Sequence, residues 1–228
     1  PEEDHLWGKA DYSQIEYRII AHYACGPKSD EVREMYNKNP KTDYHEFVMG
    51  LSGLERKPAK NLNFGAAYCM GPATCAKKFH WTIERATELL EIYHREIPFV
   101  AATRDQVIKI AKGRGYLKTI SNRRARVSEA MRQSRKEYSM FNRLIQGTAA
   151  DIMKKGMLDA YNKGLFNILV PHLTVHDEID VSVPNNQIGF EAYRELKNTM
   201  ENTYNLKVPI IADMEMGTNW LDVKKWEE

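Results

Sequence analysis

Two apolar runs, at residues 168–176 and 179–183, are separated only by Asp177 and Glu178. So short a gap between β-prone runs makes a tight hairpin, which forces the two strands to be antiparallel. The rest of the chain lacks the regular βαβ alternation of a doubly wound sheet. Lys9-Ala-Asp-Tyr12 reads as a short strand. Residues 14–25 carry apolar side chains at Ile15, Ile19, Ala21, Tyr23 and Ala24, a helical pattern that Gly26-Pro27 stops. Ser29 caps a second short helix, and Asp43-x-x-Glu46 opens a third in the manner of a capping box. Residues 54–68 form a helix only if Pro58 lies in its first turn. Thr82-x-x-Arg85 opens a long helical stretch broken at Ile97-Pro98, and residues 115–127 read as a small hairpin turning at Ser121-Asn122. A long helix over 134–161, an amphipathic helix over 187–204 and a strand over 208–214 complete the pattern. Helices mixed with antiparallel strands make the class α+β.

The chain's 228 residues suit one large domain or two small ones. Its 33 Lys and Arg against 31 Asp and Glu leave a net charge of +2, which excludes a histone-like basic tail and an acidic disordered chain. That near-neutrality hides an asymmetry. Residues 104–143 hold 12 basic side chains against 3 acidic, whereas 177–228 hold 5 against 11. A basic middle suits an anionic partner, although charge runs are more often solvated helix faces. No apolar run approaches the ~20 residues needed to cross a bilayer, so no membrane partner is expected. Cys25, Cys69 and Cys75 are an odd set without a C-x-x-C pair, expected as free thiols in a reducing compartment. The first residue is Pro, and the chain reads as a piece of something longer.

Asp11 stands at a strand end, and His176, Asp177 and Glu178 form a polar trio at the tip of apolar strands. Adjacent carboxylates there are electrostatically costly, and a hard divalent cation would relieve them. The alternative is an ordinary polar turn, where Asp is common. Arg56, Lys60, Phe64 and Tyr68 recur every four residues, a slowly winding ridge on a helix. Two cations followed by two rings suit a ligand with a polyphosphate and a planar base. The alternative is a surface helix whose aromatics face the core.

Read in order, Asp11-Tyr-Ser-Gln-Ile-Glu16, Arg56-x3-Lys60-x3-Phe64-Gly-x2-Tyr68, Gln146-Gly-Thr-Ala-Ala-Asp151 and Val175-His-Asp-Glu178 resemble the polymerase motifs of the family A DNA polymerases, over essentially the whole chain. The resemblance implies a right-hand polymerase, with palm at 1–27 and 128–228 and fingers at 28–127. It implies two Mg²⁺ ions on Asp11, Asp177 and the Tyr12 carbonyl, with Glu178 in support, and primer-template DNA and a dNTP as partners. Arg56 and Lys60 would grip the triphosphate, Lys60 also serving as general acid. Phe64 and Tyr68 would border the nascent base pair, and Gln14 would lie at the nucleotide. Glu16 would be a steric gate against ribonucleotides. His176, Asn142 and Gln146 would meet the primer-template, and Arg123 and Arg124 template phosphates.

Cys69 and Asn122 stand where the family commonly has Gly. Tyr138 stands where bacterial members often carry Arg, a contact Arg135 could supply. Nothing in the chain corresponds to the thumb, to a further N-terminal palm segment or to a proofreading exonuclease. The expectation is therefore a palm-and-fingers fragment that partners an N-terminal portion of the same polymerase, in a bacterial or phage-infected cytoplasm. The competing class is a non-catalytic nucleic-acid-binding module, which has no need of Asp11 and Asp177. A single-subunit RNA polymerase is disfavoured by Glu16.

Overall fold

The structure, a computed structural model, describes residues 1–132 and 136–226. Helices and antiparallel strands are mixed as expected, and the chain divides into two compact units. The first comprises Pro1–Arg18 with Thr148–Glu228, and the second Ile19–Gly147. Both divisions fall inside helices, α1 (Ile15–Tyr23) and α9 (Tyr138–Asn162). Ser134 and Arg135 lie outside the described residues. Among the described residues no helix is long and apolar enough to cross a membrane.

The first unit is built on a five-stranded sheet. Its strands are β1 (His5–Tyr12), β4 (Val170–Val175), β5 (Glu178–Pro184), β6 (Ala212–Gly217) and β7 (Val223–Lys225), in the order β4-β5-β1-β6-β7. Every ladder is antiparallel. Alternation along the strands gives the sheet two chemically different faces. Ala10, Tyr12, Ile179, Val181, Val183, Ala212 and Met214 are buried on one, which α10 (Gln187–Glu201) covers with Ala192, Tyr193 and Leu196. Gly8 is obligatory in that packing: a Cβ there would lie 2.8 Å from Val183 Cγ2 and 2.9 Å from the Tyr193 ring. Asn186 caps α10 by accepting from the Gly189 N–H at 3.0 Å.

Three details of this unit depart from the sequence reading. Val175 pairs with Glu178, so the hairpin loop is His176-Asp177 and Glu178 already belongs to β5. His176 makes that turn in the left-handed region, at φ 57°. Most of the apolar run before the turn lies outside the core: Leu169 is buried, but Val170, Leu173 and Val175 are exposed on the edge strand β4. A register shift between Pro171 and Leu173 suits an edge, the one place in a sheet where proline is tolerated. The strand expected at 208–214 begins only at Ala212. Val208 and Ile210 are buried, but Pro209 has no N–H and its carbonyl accepts from Arg18 Nη1 at 2.8 Å, so that stretch packs without joining the ladder.

The second unit is mainly helical, with α2 (Ser29–Lys38), α3 (Tyr44–Ser52), α4 (Arg56–Ala67), α5 (Pro72–Phe79), α6 (Ile83–Glu96) and α7 (Pro98–Arg114). Local chemistry sets their ends. Asp43 and Thr82 cap α3 and α6, Pro58 sits in the first turn of α4, and Pro98 opens α7. Val48 of α3, Leu62 of α4 and Leu89 and Tyr93 of α6 are buried, and these three helices pack together. A two-stranded ribbon follows, β2 (Tyr116–Lys118) against β3 (Arg124–Arg126). Asn122 turns its loop at φ 61°, a conformation asparagine tolerates well. A short helix, α8 (Glu129–Arg132), comes next.

Candidate active site

In the first unit the register sets two of the expected acids, Asp11 and Glu178, on neighbouring strands. Asp11, at the end of β1, stands opposite Glu178 on β5 and Asp213 on β6, and residues paired in register share a face. Tyr12 N donates to the Asp177 carbonyl at 3.2 Å, which draws the hairpin loop against the end of β1. Asp213 escaped the sequence reading; its signal is the alternation Ala-Asp-Met-Glu-Met at 212–216, which points Asp213 and Glu215 away from the core. Two residue-pairs further along, Asp180, Lys9, Glu215 and Lys225 face one another across β5, β1, β6 and β7. Burial raises the carboxyl pKa of Glu178 and of Asp180, while the Lys9 ammonium opposes both shifts.

The backbone around these acids is held from behind. The Tyr12 ring is buried, with Oη 3.2 Å from the Met200 carbonyl and 3.3 Å from Thr203 Oγ1. Burial pushes its hydroxyl pKa up to about 12. Only glycine fits at 156, because a Cβ there would come within 2.6 Å of Tyr12 Oη. After β1 the chain turns through Gln14 at φ 51°, and Glu16 follows half-buried in the first turn of α1. Arg18, also missed in the sequence, is fully buried; its Nε donates to the Ser13 carbonyl at 2.8 Å, tying this turn to Pro209.

In the second unit Arg56, Lys60 and Phe64 lie along α4, and Tyr68 is its C-cap. Arg56 and Lys60 are exposed and Phe64 and Tyr68 half-buried, whereas Ala59, Leu62, Asn63 and Ala66 fill the buried side of the helix. The rings therefore edge a surface and are not core. Lys60 Nζ is 6.0 Å from the Phe64 ring centroid, and the Tyr68 and Phe141 rings are 6.1 Å apart. Asp43 organises this ridge. Its Oδ1 accepts from His45 N at 2.8 Å, and its Oδ2 accepts from Arg56 Nε at 2.8 Å and Nη2 at 2.7 Å.

His45 is buried beside Phe64, with ring centroids 5.2 Å apart, and its Nδ1 accepts from Asn63 Nδ2 at 3.0 Å. Burial lowers its pKa to about 4; Asp43 opposes the shift, and Lys60 and Arg56 add to it. The neutral ring therefore carries its proton on Nε2. Neither Asp43 in this role nor His45 was legible in the sequence, where Asp43 is only a helix cap.

Cys69 follows Tyr68 at φ 65°, and its Sγ accepts from Arg104 Nη1 at 3.1 Å. Arg123 Nη2 donates to the Gly147 carbonyl at 2.9 Å, and the Arg124 guanidinium stacks 4.9 Å above Tyr116. On α9, Gln146 is exposed and Asn142 half-buried; Asn142 Oδ1 has no hydrogen-bond partner among the described residues.

Among the described residues no three His, Cys, Asp or Glu side chains gather in a way that could hold a metal ion. The donor chemistry nevertheless fits Mg²⁺. That ion takes one or two carboxylates and fills its remaining positions with water and substrate phosphate. Asp11, Asp177 and the Tyr12 carbonyl are such an all-oxygen set.

The model of DNA polymerase family A matches residues 1–222. The thermostable DNA polymerase I of Thermus filiformis is 32% identical over 98% of this chain and 28% of its own length. A DNA-directed DNA polymerase of Pseudomonas phage M6 is 28% identical over 100% of the chain and 40% of its own. Among solved structures, the POL domain of Pol1 from M. smegmatis, in complex with DNA primer-template and dNTP, aligns with a TM-score of 0.81 and 28% identity. The alignment covers 96% of this chain and 40% of that one. The chain thus spans less than half the length of these relatives. A match that runs through both compact units makes this chain a member of DNA polymerase family A.

Proposed function

We propose that the chain carries the nucleotidyl-transfer chemistry of a template-directed DNA polymerase, with residues 1–27 and 128–228 as palm and 28–127 as fingers. The observation that carries the reading is the row Glu178, Asp11 and Asp213 across three strands, with Asp177 in the adjoining loop. The primer 3′-oxygen attacks the α-phosphorus of a dNTP, and pyrophosphate leaves from the opposite side. Asp11, Asp177 and the Tyr12 carbonyl would hold Mg²⁺, and two bound ions would supply charge stabilisation of this in-line displacement. Glu178 supports the same site.

Arg56 and Lys60 bind the triphosphate by charge-assisted hydrogen bonds, and Lys60 gives a proton to the leaving oxygen. Phe64 and Tyr68 border the new base pair, with Gln14 at the nucleotide, and Glu16 excludes a 2′-hydroxyl. His176, Asn142 and Gln146 contact the primer-template, and Arg123 and Arg124 contact template phosphates. An N-terminal portion of the same polymerase supplies the thumb, and the protein works in the cytoplasm of a bacterium or phage-infected cell.

The test is primer extension with Mg²⁺, with and without the N-terminal remainder. Asp177→Ala is expected to lower dNMP incorporation by more than about a hundredfold while leaving DNA binding intact. Glu16→Ala is expected to admit ribonucleotides. If the complete wild-type assembly binds primer-template but adds no dNMP, a binding module replaces this reading.

A further inference from the structure

The register sorts charge on the face of the sheet opposite α10 into two rows. The row at the end of β1 is entirely acidic, with Glu178, Asp11 and Asp213. The row beside it alternates in sign: Asp180, Lys9, Glu215 and Lys225. Lys9 links the two. It stands two residues from Asp11 on the same face, and its Nζ is 3.9 Å from Glu178 Oε1, with the two side chains only 13% and 21% exposed. The ammonium also lies over the Trp220 ring, 4.5 Å from its centroid.

Its register partner Asp180 is fully buried; the Trp7 and Trp220 indoles and Glu178 act on its carboxylate, but none of them at ordinary hydrogen-bond geometry. A carboxylate with so few donors relies on a nearby cation to stay in the fold. Lys9 is the cation that the register sets against it.

We propose that Lys9 is a positioning residue, a tethered cation that neutralises Asp180, holds Glu178, and so confines divalent-ion binding to Asp11 and Asp177. A fixed ammonium repels a metal ion from the second row and orients one of the carboxylates of the first. Without it, Asp180, Glu178 and Glu215 present unbalanced negative charge beside the metal ligands, and cations bind more readily and less selectively. The inference rests on the assignment of Asp11 and Asp177 as metal ligands.

The test is Mn²⁺ binding to the 228-residue chain without nucleotide, by electron paramagnetic resonance of the free ion, together with melting in a chelator. Lys9→Met is expected to bind Mn²⁺ on the order of fivefold more tightly, or to bind an additional ion. In chelator it melts below wild type. Lys9→Arg is expected to match wild type in both measurements.

Lys9→Met with Asp180→Leu removes both charges of the buried pair. It is expected to regain the wild-type melting temperature and much of the wild-type Mn²⁺ affinity, and it keeps the test decisive if the single variant does not fold. A folded Lys9→Met that binds Mn²⁺ as wild type does overturns the proposal, leaving Lys9 a purely structural residue. So does a double variant no more stable than the single one. Asp177→Ala serves as the separate control: unchanged Mn²⁺ binding there refutes the metal-ligand assignment itself, whatever the Lys9 variants do.

Discussion

Acidification tests the architecture of the α4 ridge through one residue, His45. Its ring is buried and neutral, accepts from Asn63 at Nδ1, and has a pKa of about 4 in the fold against 6.5 ordinarily. Above pH 6.5 both the folded and the unfolded chain hold the ring neutral, and it adds nothing to pH dependence. Below 6.5 the unfolded chain takes the proton first, so stability falls as pH falls. The loss levels off only near pH 4, where the folded ring is protonated too. At about 1.4 kcal/mol per pH unit, the drop attributable to His45 is at most about 3.5 kcal/mol across that window.

The assay is urea unfolding of wild type and His45→Gln at pH 7, 5.5 and 4.5, with amide exchange in α3 and α4 as the local readout. Glu178 and Asp180, whose raised pKa values act in the opposite sense, are common to both proteins and cancel in the difference. Wild type is expected to lose the additional stability, with protection in α3 and α4 lost first. Equal pH dependence of the two proteins, or a folded-state imidazole that titrates near 6.5, refutes the account of a buried ring pinned by Asn63.

Three further substitutions probe the supports of the site. Asp43→Asn keeps an acceptor for His45 N but removes the charge that holds Arg56. It is expected to raise the KM for dNTP by about fivefold with a smaller change in kcat, measured by steady-state incorporation. Gly156→Ala drives a Cβ to 2.6 Å from Tyr12 Oη, and should cost about 1–3 kcal/mol of stability in urea unfolding, with Tyr12→Phe relieving part of the loss. Cys69→Gly removes a side chain from a residue at φ 65°. It should stabilise the end of α4 by up to about 1 kcal/mol, read as a higher urea midpoint, less whatever the Arg104 contact contributes.

What the sequence makes legible here is what is local, and what it conceals is what the sheet brings together. The α4 ridge follows from a spacing of four residues on one helix, and the hairpin from two runs that nearly touch. Asp11 and Asp177 could be singled out because each closes an apolar strand. Asp213 could not, because it joins them only through a ladder between strands some 200 residues apart. The Lys9 pairing with Asp180 is hidden for the same reason, although both residues are plain in the sequence.

Apolar patterning alone does not decide the place of two stretches. Residues 208–210 are apolar enough for a strand, yet Pro209 and the buried Arg18 take them out of the ladder. Residues 170–175 are apolar enough for a core strand, yet they form an exposed edge. The consequence for the chemistry is specific. Hydropathy marks Ile179 and Val181 as core and so assigns Glu178 and Asp180 to the other face, but only the register decides that Glu178 meets Asp11 while Asp180 meets Lys9. Two carboxylates on one strand, two residues apart, are thereby assigned opposite surroundings. One lies in an all-acidic row, and the other in a row that also holds Lys9 and Lys225.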